Sequence, residues 1–265
     1  MTDAAAPPPA AVDEADLERR FGGLRRLYGD AGYRRVRSLR VGVVGLGGVG
    51  SWTAEALARS GVAELVLFDL DHVAESNINR QVQALGSTVG ASKGGALEQR
   101  FADIHPGCRV RHVDEFVTPD NWPGLLTHEI DVLVDACDQV HAKVAMAGWA
   151  LRTRTPLVTV GAAGGKRRAQ AVEVADLSAT THDPLLASMR QRLRKQHGAA
   201  RQGPIGVSCV FSREPVTLPE VCAVDGTDVD GNLNCHGYGS VVTVTATFGF
   251  VAASEALQCG LAARA

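Results

Sequence analysis

The feature that most constrains this chain is one run of strand, glycine loop, helix and strand. Arg40-Val-Gly-Val-Val-Gly45 is a short apolar run ending in glycine, which predicts a buried strand. Gly45-Leu-Gly-Gly-Val-Gly50 follows it, then Val49–Ser60 with Trp52, Ala56 and Leu57 at helical spacing, then Leu65-Val-Leu-Phe-Asp69 as a second strand. Such a βαβ unit requires a parallel pair and a right-handed crossover.

The alternation continues. Ala91–Ile104 reads as a helix stopped by Pro106 and Gly107, and Val110–Val117 as a strand. Pro119–Leu126 reads as a short helix, with Thr118 as N-cap and Pro119 at the first position. Asp131–Asp135 is a strand, Val140–Arg152 a helix, and Pro156–Val160 a strand running into Gly161–Gly165. The pattern then changes: Ala169–Ala175 is a strand with no crossover helix after it, Asp183–Gln196 is an amphipathic basic helix, and residues 198–206 and 222–240 are Gly-rich and irregular. The expected fold class is α/β, a doubly wound, mostly parallel sheet with a mixed C-terminal extension. Its expected parts are a leader over 1–15, a doubly wound core over 16–165, and an extension over 166–265 packed on that core.

Composition narrows the classes. The chain has 265 residues, 45% hydrophobic and 21% charged, with a net charge of −2, so any nucleic-acid contact must come from a local patch. Six cysteines form no C-x-x-C pair, which argues against a tetrathiolate zinc site and for reduced thiols in the cytoplasm. The Ala/Pro-rich first 12 residues lack a basic region followed by an apolar run, so they read as a disordered leader rather than a signal peptide. Gly237–Ser254 carries no charge, but Thr243, Thr245, Thr247, Gly239 and Gly249 interrupt it. It reads as a buried terminal strand or helix, with no stable membrane insertion.

The chemistry gathers after the first two strands. Gly45, Gly47, Gly48 and Gly50 suit a loop whose backbone approaches phosphates at a helix N-terminus. Asp69 is placed to accept from ribose hydroxyls; Asp71 serves the same region or caps the loop. Asn77, Asn79, Arg80, Gln81 and Lys93 supply amides and cations for a triphosphate, with Arg80 suited to a bidentate contact and Lys93 to a point charge. This set favours ATP over a nicotinamide dinucleotide, which has no γ-phosphate to neutralise. Asp135 and Asp138 flank the end of the fourth strand, where a carboxylate suits Mg²⁺; Asp138, in the loop, is the better candidate and Asp135 an alternative cap for backbone amides.

Gly45–Gly50, Asp69-x-Asp71, Ser76-Asn77-x-Asn79-Arg80-Gln81, Lys93 and Asp135-x-x-Asp138 together resemble the E1-like (ThiF/MoeB/HesA) adenylating superfamily over residues 20–165. That resemblance implies binding of ATP and Mg²⁺, attack of a carboxylate on the α-phosphate and release of pyrophosphate, with Arg80, Lys93 and Asp138 as catalytic groups. Arg20–Gly29, Phe116–Asn121, Thr159–Gly165, Asp183-Pro-Leu185, Val210–Ser212 and Thr245–Val251 resemble one branch, the tRNA threonylcarbamoyladenosine dehydratases (the TcdA/CsdL type). This implies tRNA carrying threonylcarbamoyladenosine at position 37 as substrate, a homodimer, and room for a sulfur-transfer protein as a further partner. Homodimeric relatives insert an arginine across the interface; that position falls on Gly23 here, with Arg20, Arg25 and Arg26 nearby. The usual Asp-Asn after the fourth strand is Asp138-Gln139.

Two basic stretches, Arg190, Arg192, Arg194, Lys195 and Arg201, and Lys166, Arg167 and Arg168, are candidate tRNA phosphate contacts or else solvated faces. Cys209, Cys222 and Cys235 read as buried free thiols rather than thioester formers, and His182 and His236 form no metal set. The rival functions are adenylation of the C-terminus of a ubiquitin-like or sulfur-carrier protein, an NAD-dependent dehydrogenase, and a nucleotide-binding scaffold without turnover.

Overall fold

A computed structural model gives the fold and describes residues 14–217 and 238–262. Two helices, α1 (Glu14–Phe21) and α2 (Gly23–Ser38), precede β1 (Arg40–Val44). Then follow α3 (Gly50–Arg59), β2 (Glu64–Phe68), α4 (Lys93–Ile104), β3 (Arg109–Val113), β4 (Val132–Asp135), α5 (Val140–Thr153) and β5 (Leu157–Val160). The chain continues through β6 (Val172–Asp176), α6 (Pro184–Gln196), β7 (Ser208–Ser212) and α7 (Val242–Ala262). The leader expected over residues 1–15 falls outside the described residues up to position 13, and α1 opens at Glu14.

The seven strands form one sheet in the order β3-β2-β1-β4-β5-β7-β6. Every neighbouring pair is parallel except β6 with β7. The doubly wound α/β expectation therefore holds, and the order reverses direction between β1 and β4. In such sheets the crevice at that switch point, outside the carboxyl ends of the strands, is the ligand position.

The apolar strands divide their side chains between two cores by the two-residue period. Val41 and Val43, Leu65 and Leu67, Val132 and Val134, and Val158 and Val160 face a cluster with α3 and α7. Val44, Val66 and Phe68, Leu133, Leu157 and Phe211 face the other, with α5, α6 and Trp122. The uncharged stretch before Ser254 resolves as the helix α7, apolar around most of its girth because it is wedged between α3 and the sheet. A Cβ on Gly249 would lie 2.7 Å from the Val49 carbonyl oxygen, so glycine lets the two helices touch backbone to backbone. No described helix is long and apolar enough to cross a membrane.

Two expectations are corrected. Residues 119–125 form turns, not a helix: Thr118 and Asn121 bond each other's amides, and Pro123 removes a donor and disfavours helical backbone at Trp122. β3 stops at Val113 rather than Val117, because the chain leaves the sheet edge after pairing with Phe68. β7, for which no strand was expected from pattern alone, inserts between β5 and β6.

Candidate active site

The glycine loop fills the switch-point crevice. Gly45 has φ +84°, and a Cβ there would stand 3.0 Å from the Ala136 oxygen and the Cys137 backbone. A Cβ on Gly50 would overlap the Gly45 carbonyl oxygen. These two glycines let the loop turn tightly between β1 and α3 while lying against the segment after β4. The amides of Gly47, Gly48 and Val49 donate to nothing among the described residues, and they lead into the N-terminus of α3. Free amides at a helix N-terminus make an anion site.

Asp69 follows β2 and is buried under this loop. Its Oδ2 accepts from the Leu46 amide at 2.5 Å and its Oδ1 from the Asp71 amide at 2.8 Å. Burial holds its pKa above the usual carboxylate range, with the Lys93 charge working the other way. Lys93 opens α4, whose N-cap Ser92 accepts from the Gly95 amide. The Lys93 ammonium is buried and lies 2.7 Å from Asp71, whose side chain is half exposed. The structure thus brings Asp69, Asp71 and Lys93 together beside the loop.

The run from Ser76 folds over the same place. Asn77 is buried, and its Oδ1 accepts from the Ala74 amide, closing its own short turn. Asn79 donates to the Ser240 carbonyl, which ties the run to the segment entering α7. Arg80 is anchored through its carbonyl, which accepts from Trp52 Nε1, while its guanidinium donates to Ser76 O and Asn79 Oδ1. A Cβ on Gly48 would stand 3.3 Å from the Arg80 methylenes and 3.2 Å from the Thr245 methyl, which fixes Arg80 directly against the loop. Gln81 is buried and accepts from Gln83 Nε2, which also donates to the Leu46 carbonyl.

Asp135 and Asp138 have separate surroundings. Asp135 is fully buried and accepts from Lys143 Nζ at 3.1 Å and Thr159 Oγ1 at 2.6 Å. Burial opposes the Lys143 charge, but Asp135 beside it leaves its pKa above the ordinary value. Asp138 is exposed in the loop, and among the described residues its Oδ1 accepts only from the neighbouring Gln139 side-chain amide, at 3.3 Å. The described residues contain no group of three His, Cys, Asp or Glu able to hold a metal alone.

The other charged candidates separate by contact. Lys166 is buried and donates to the Ser212 and Glu214 carbonyls. Arg190 donates to Leu177 O and Thr180 O, and Arg194 to Ala200 O. Arg192 instead lies 3.2 Å from the His141 ring, and Arg167 and Arg168 are exposed. Arg20 bonds the end of α4 and Arg25 pairs with Glu18 and Asp30, whereas Arg26 is exposed. Cys209 is buried and burial pushes its thiol well above the usual range, as it does for Cys137. Cys222, Cys235 and His236 lie outside the described residues.

Sequence reasoning missed Lys143, Gln83, Trp52 and Thr245. Lys143 had a readable signal, one lysine among the apolar residues of α5 a turn beyond Asp138. The others act through contacts between distant segments, which spacing does not encode.

Comparison with known proteins agrees with this geometry. The model of the ThiF family matches residues 20–263. The chain is 43% identical over 248 residues to a tRNA threonylcarbamoyladenosine dehydratase of Escherichia coli (strain K12), covering 91% of this chain and 92% of that protein. It is 39% identical to the dehydratase of the same name in Haemophilus influenzae, covering 92% and 94%. The crystal structure of the E. coli tRNA N6-threonylcarbamoyladenosine dehydratase in complex with ATP superposes with a TM-score of 0.84 at 40% identity, covering 96% of this chain and 98% of that one. With its glycine loop, its Asn-x-Asn-Arg-Gln run and its sheet order all in place, the chain belongs to the ThiF family.

Proposed function

We infer that this chain catalyses the ATP-dependent dehydration of threonylcarbamoyladenosine 37 in tRNA. The observation that carries the reading is the extent of the likeness to such dehydratases, which takes in the extension as well as the glycine-loop half. The modified base carries a threonine carboxylate. A carboxylate oxygen attacks the α-phosphorus of ATP and pyrophosphate leaves. The tethered ureido group then attacks the acyl carbon, and AMP departs with that oxygen. The atoms of one water are removed from the base, and tethering makes ring closure effectively unimolecular.

The residues fit this chemistry by charge and placement. The free amides of Gly47, Gly48 and Val49 are placed to receive a phosphate at the start of α3. Arg80, against Gly48, and Lys93, held by Asp71, neutralise triphosphate charge. Asp69 keeps the loop in shape and contributes to ribose binding, with Asp71, Asn77 and Gln81 framing the same crevice. Mg²⁺ fits a single carboxylate shared with substrate phosphates, which matches the exposed Asp138 better than the Lys143-bound Asp135. It would supply charge neutralisation between phosphates. No thiol is needed, consistent with the raised pKa of Cys209.

The proposal includes a cytoplasmic homodimer. Arg26 is the arginine of its segment available to a second subunit, since Arg20 and Arg25 are engaged within the chain. A sulfur-transfer partner remains part of the family-based reading. AMP formation, measured with modified tRNA or with a carrier protein ending in Gly-Gly, tests the function. Formation with the tRNA alone supports it; formation with the carrier alone replaces it with C-terminal activation.

A further inference from the structure

A second concave site lies on the opposite face of the sheet from α7. It is a cavity of about 320 Å³ between α5, α6 and the turns after Thr118. Trp122 forms one wall, and His141, Arg152, Arg192, Gln196 and His197 line the rest together with apolar residues of α5. Among the described residues no carboxylate lines it, and neither Arg152 nor Arg192 has an ion-pair partner. Cationic groups converging on a concave surface without counter-charge raise the local concentration of anions.

The cavity is built rather than incidental. Gly148 has no side chain where a Cβ would stand 2.5 Å from two atoms of the His197 ring, so the imidazole lies flush on α5. Trp122 is held edge-on by Phe68 at 5.9 Å and by Trp149 at 5.3 Å, which makes that wall rigid. Arg192 reaches His141 at 3.2 Å and spans the gap between the two helices. His141 is the second residue of α5, three residues after Asp138, and Arg152 is near the far end of that helix, so the groove extends about 16 Å along α5 from the Asp138 loop.

We propose that this groove binds backbone phosphates of the RNA substrate next to the adenylating site, with Arg152 and Arg192 as the phosphate contacts. The inference rests on the tRNA reading above. It also divides the basic stretch of α6: Arg192 contacts RNA, while Arg190 and Arg194 hold the fold through carbonyls.

The test compares wild type, R152Q/R192Q and, as a charge-matched control at exposed arginines outside both basic stretches, R19Q/R34Q. Binding of modified tRNA is measured against salt, and steady-state dehydration against tRNA and ATP. The groove variant is expected to raise the KM for tRNA about tenfold and to flatten the slope of log affinity against log salt by about 1 to 2, with kcat and the KM for ATP within about twofold. Unchanged tRNA affinity and slope in R152Q/R192Q overturn the proposal, as does a fall in kcat with KM unchanged. Equal losses in the control also overturn it, because the groove would then have no special role. Failure of the functional reading shows separately, as a wild-type chain that neither binds nor dehydrates the tRNA, and it takes the groove with it. Wild-type turnover beside an insensitive groove variant removes the groove alone.

Discussion

Asp69 and Leu46 are joined by a 2.5 Å hydrogen bond from the Leu46 amide to the Asp69 carboxylate, which pins the glycine loop to the end of β2. The same carboxylate caps the Asp71 amide, whose own side chain holds Lys93. Loop, acid and lysine are therefore one connected unit.

Breaking that unit has two readouts. Asp69→Ala leaves two amides without their acceptor, and a lost buried acceptor costs about 1–3 kcal/mol. Urea unfolding is expected to show that loss, together with a raised KM for ATP. An unchanged KM with the stability loss intact would restrict Asp69 to a structural role.

Arg80 is expected to behave differently. Among the described residues its guanidinium bonds only groups of its own turn. Arg80→Ala should abolish AMP formation while leaving circular dichroism and the unfolding midpoint near wild type. Retained AMP formation would sink the assignment.

Lys143 lies where a charge is costly to strand. Removing one partner of a buried pair costs about 3–5 kcal/mol, because the other is left uncompensated. Lys143→Met should lower stability by that order in urea titrations, and the double variant K143M/D135N should recover part of it. Additive losses in the double variant would show that the two residues do not act as a pair.

His105 predicts acid sensitivity. It is buried, and burial with Arg37 beside it depresses its pKa from 6.5 to about 4. The unfolded chain therefore binds this proton between pH 6.5 and 4 while the folded chain does not. The stability it contributes is present above pH 6.5 and is lost as pH falls toward 4, by about 3 kcal/mol in all. His105→Gln should flatten the dependence of unfolding free energy on pH across that window; an unchanged slope would contradict the assignment.

Much of this architecture was legible because its signals are local. Gly45 needs positive φ and Gly50 close backbone approach, and Asp69 ends an apolar run, so strand, loop and acid could be read in order. The crossing of α7 onto α3 could not, since it depends on Gly249 meeting Val49 across about 200 residues of chain. The helix expected after Thr118 was wrong because Thr118 and Pro119 promise a start that Pro123 forbids continuing. The separate environments of Asp135 and Asp138 were hidden for a related reason. Three residues of spacing say nothing about Lys143 and Thr159 closing on one of them.

The central claim is the dehydration itself. Wild-type protein should be incubated with ATP, Mg²⁺ and tRNA bearing threonylcarbamoyladenosine, and the nucleosides weighed by mass spectrometry. Loss of one water from that nucleoside is expected, only when ATP is present. An unchanged nucleoside mass with correctly modified tRNA would contradict it.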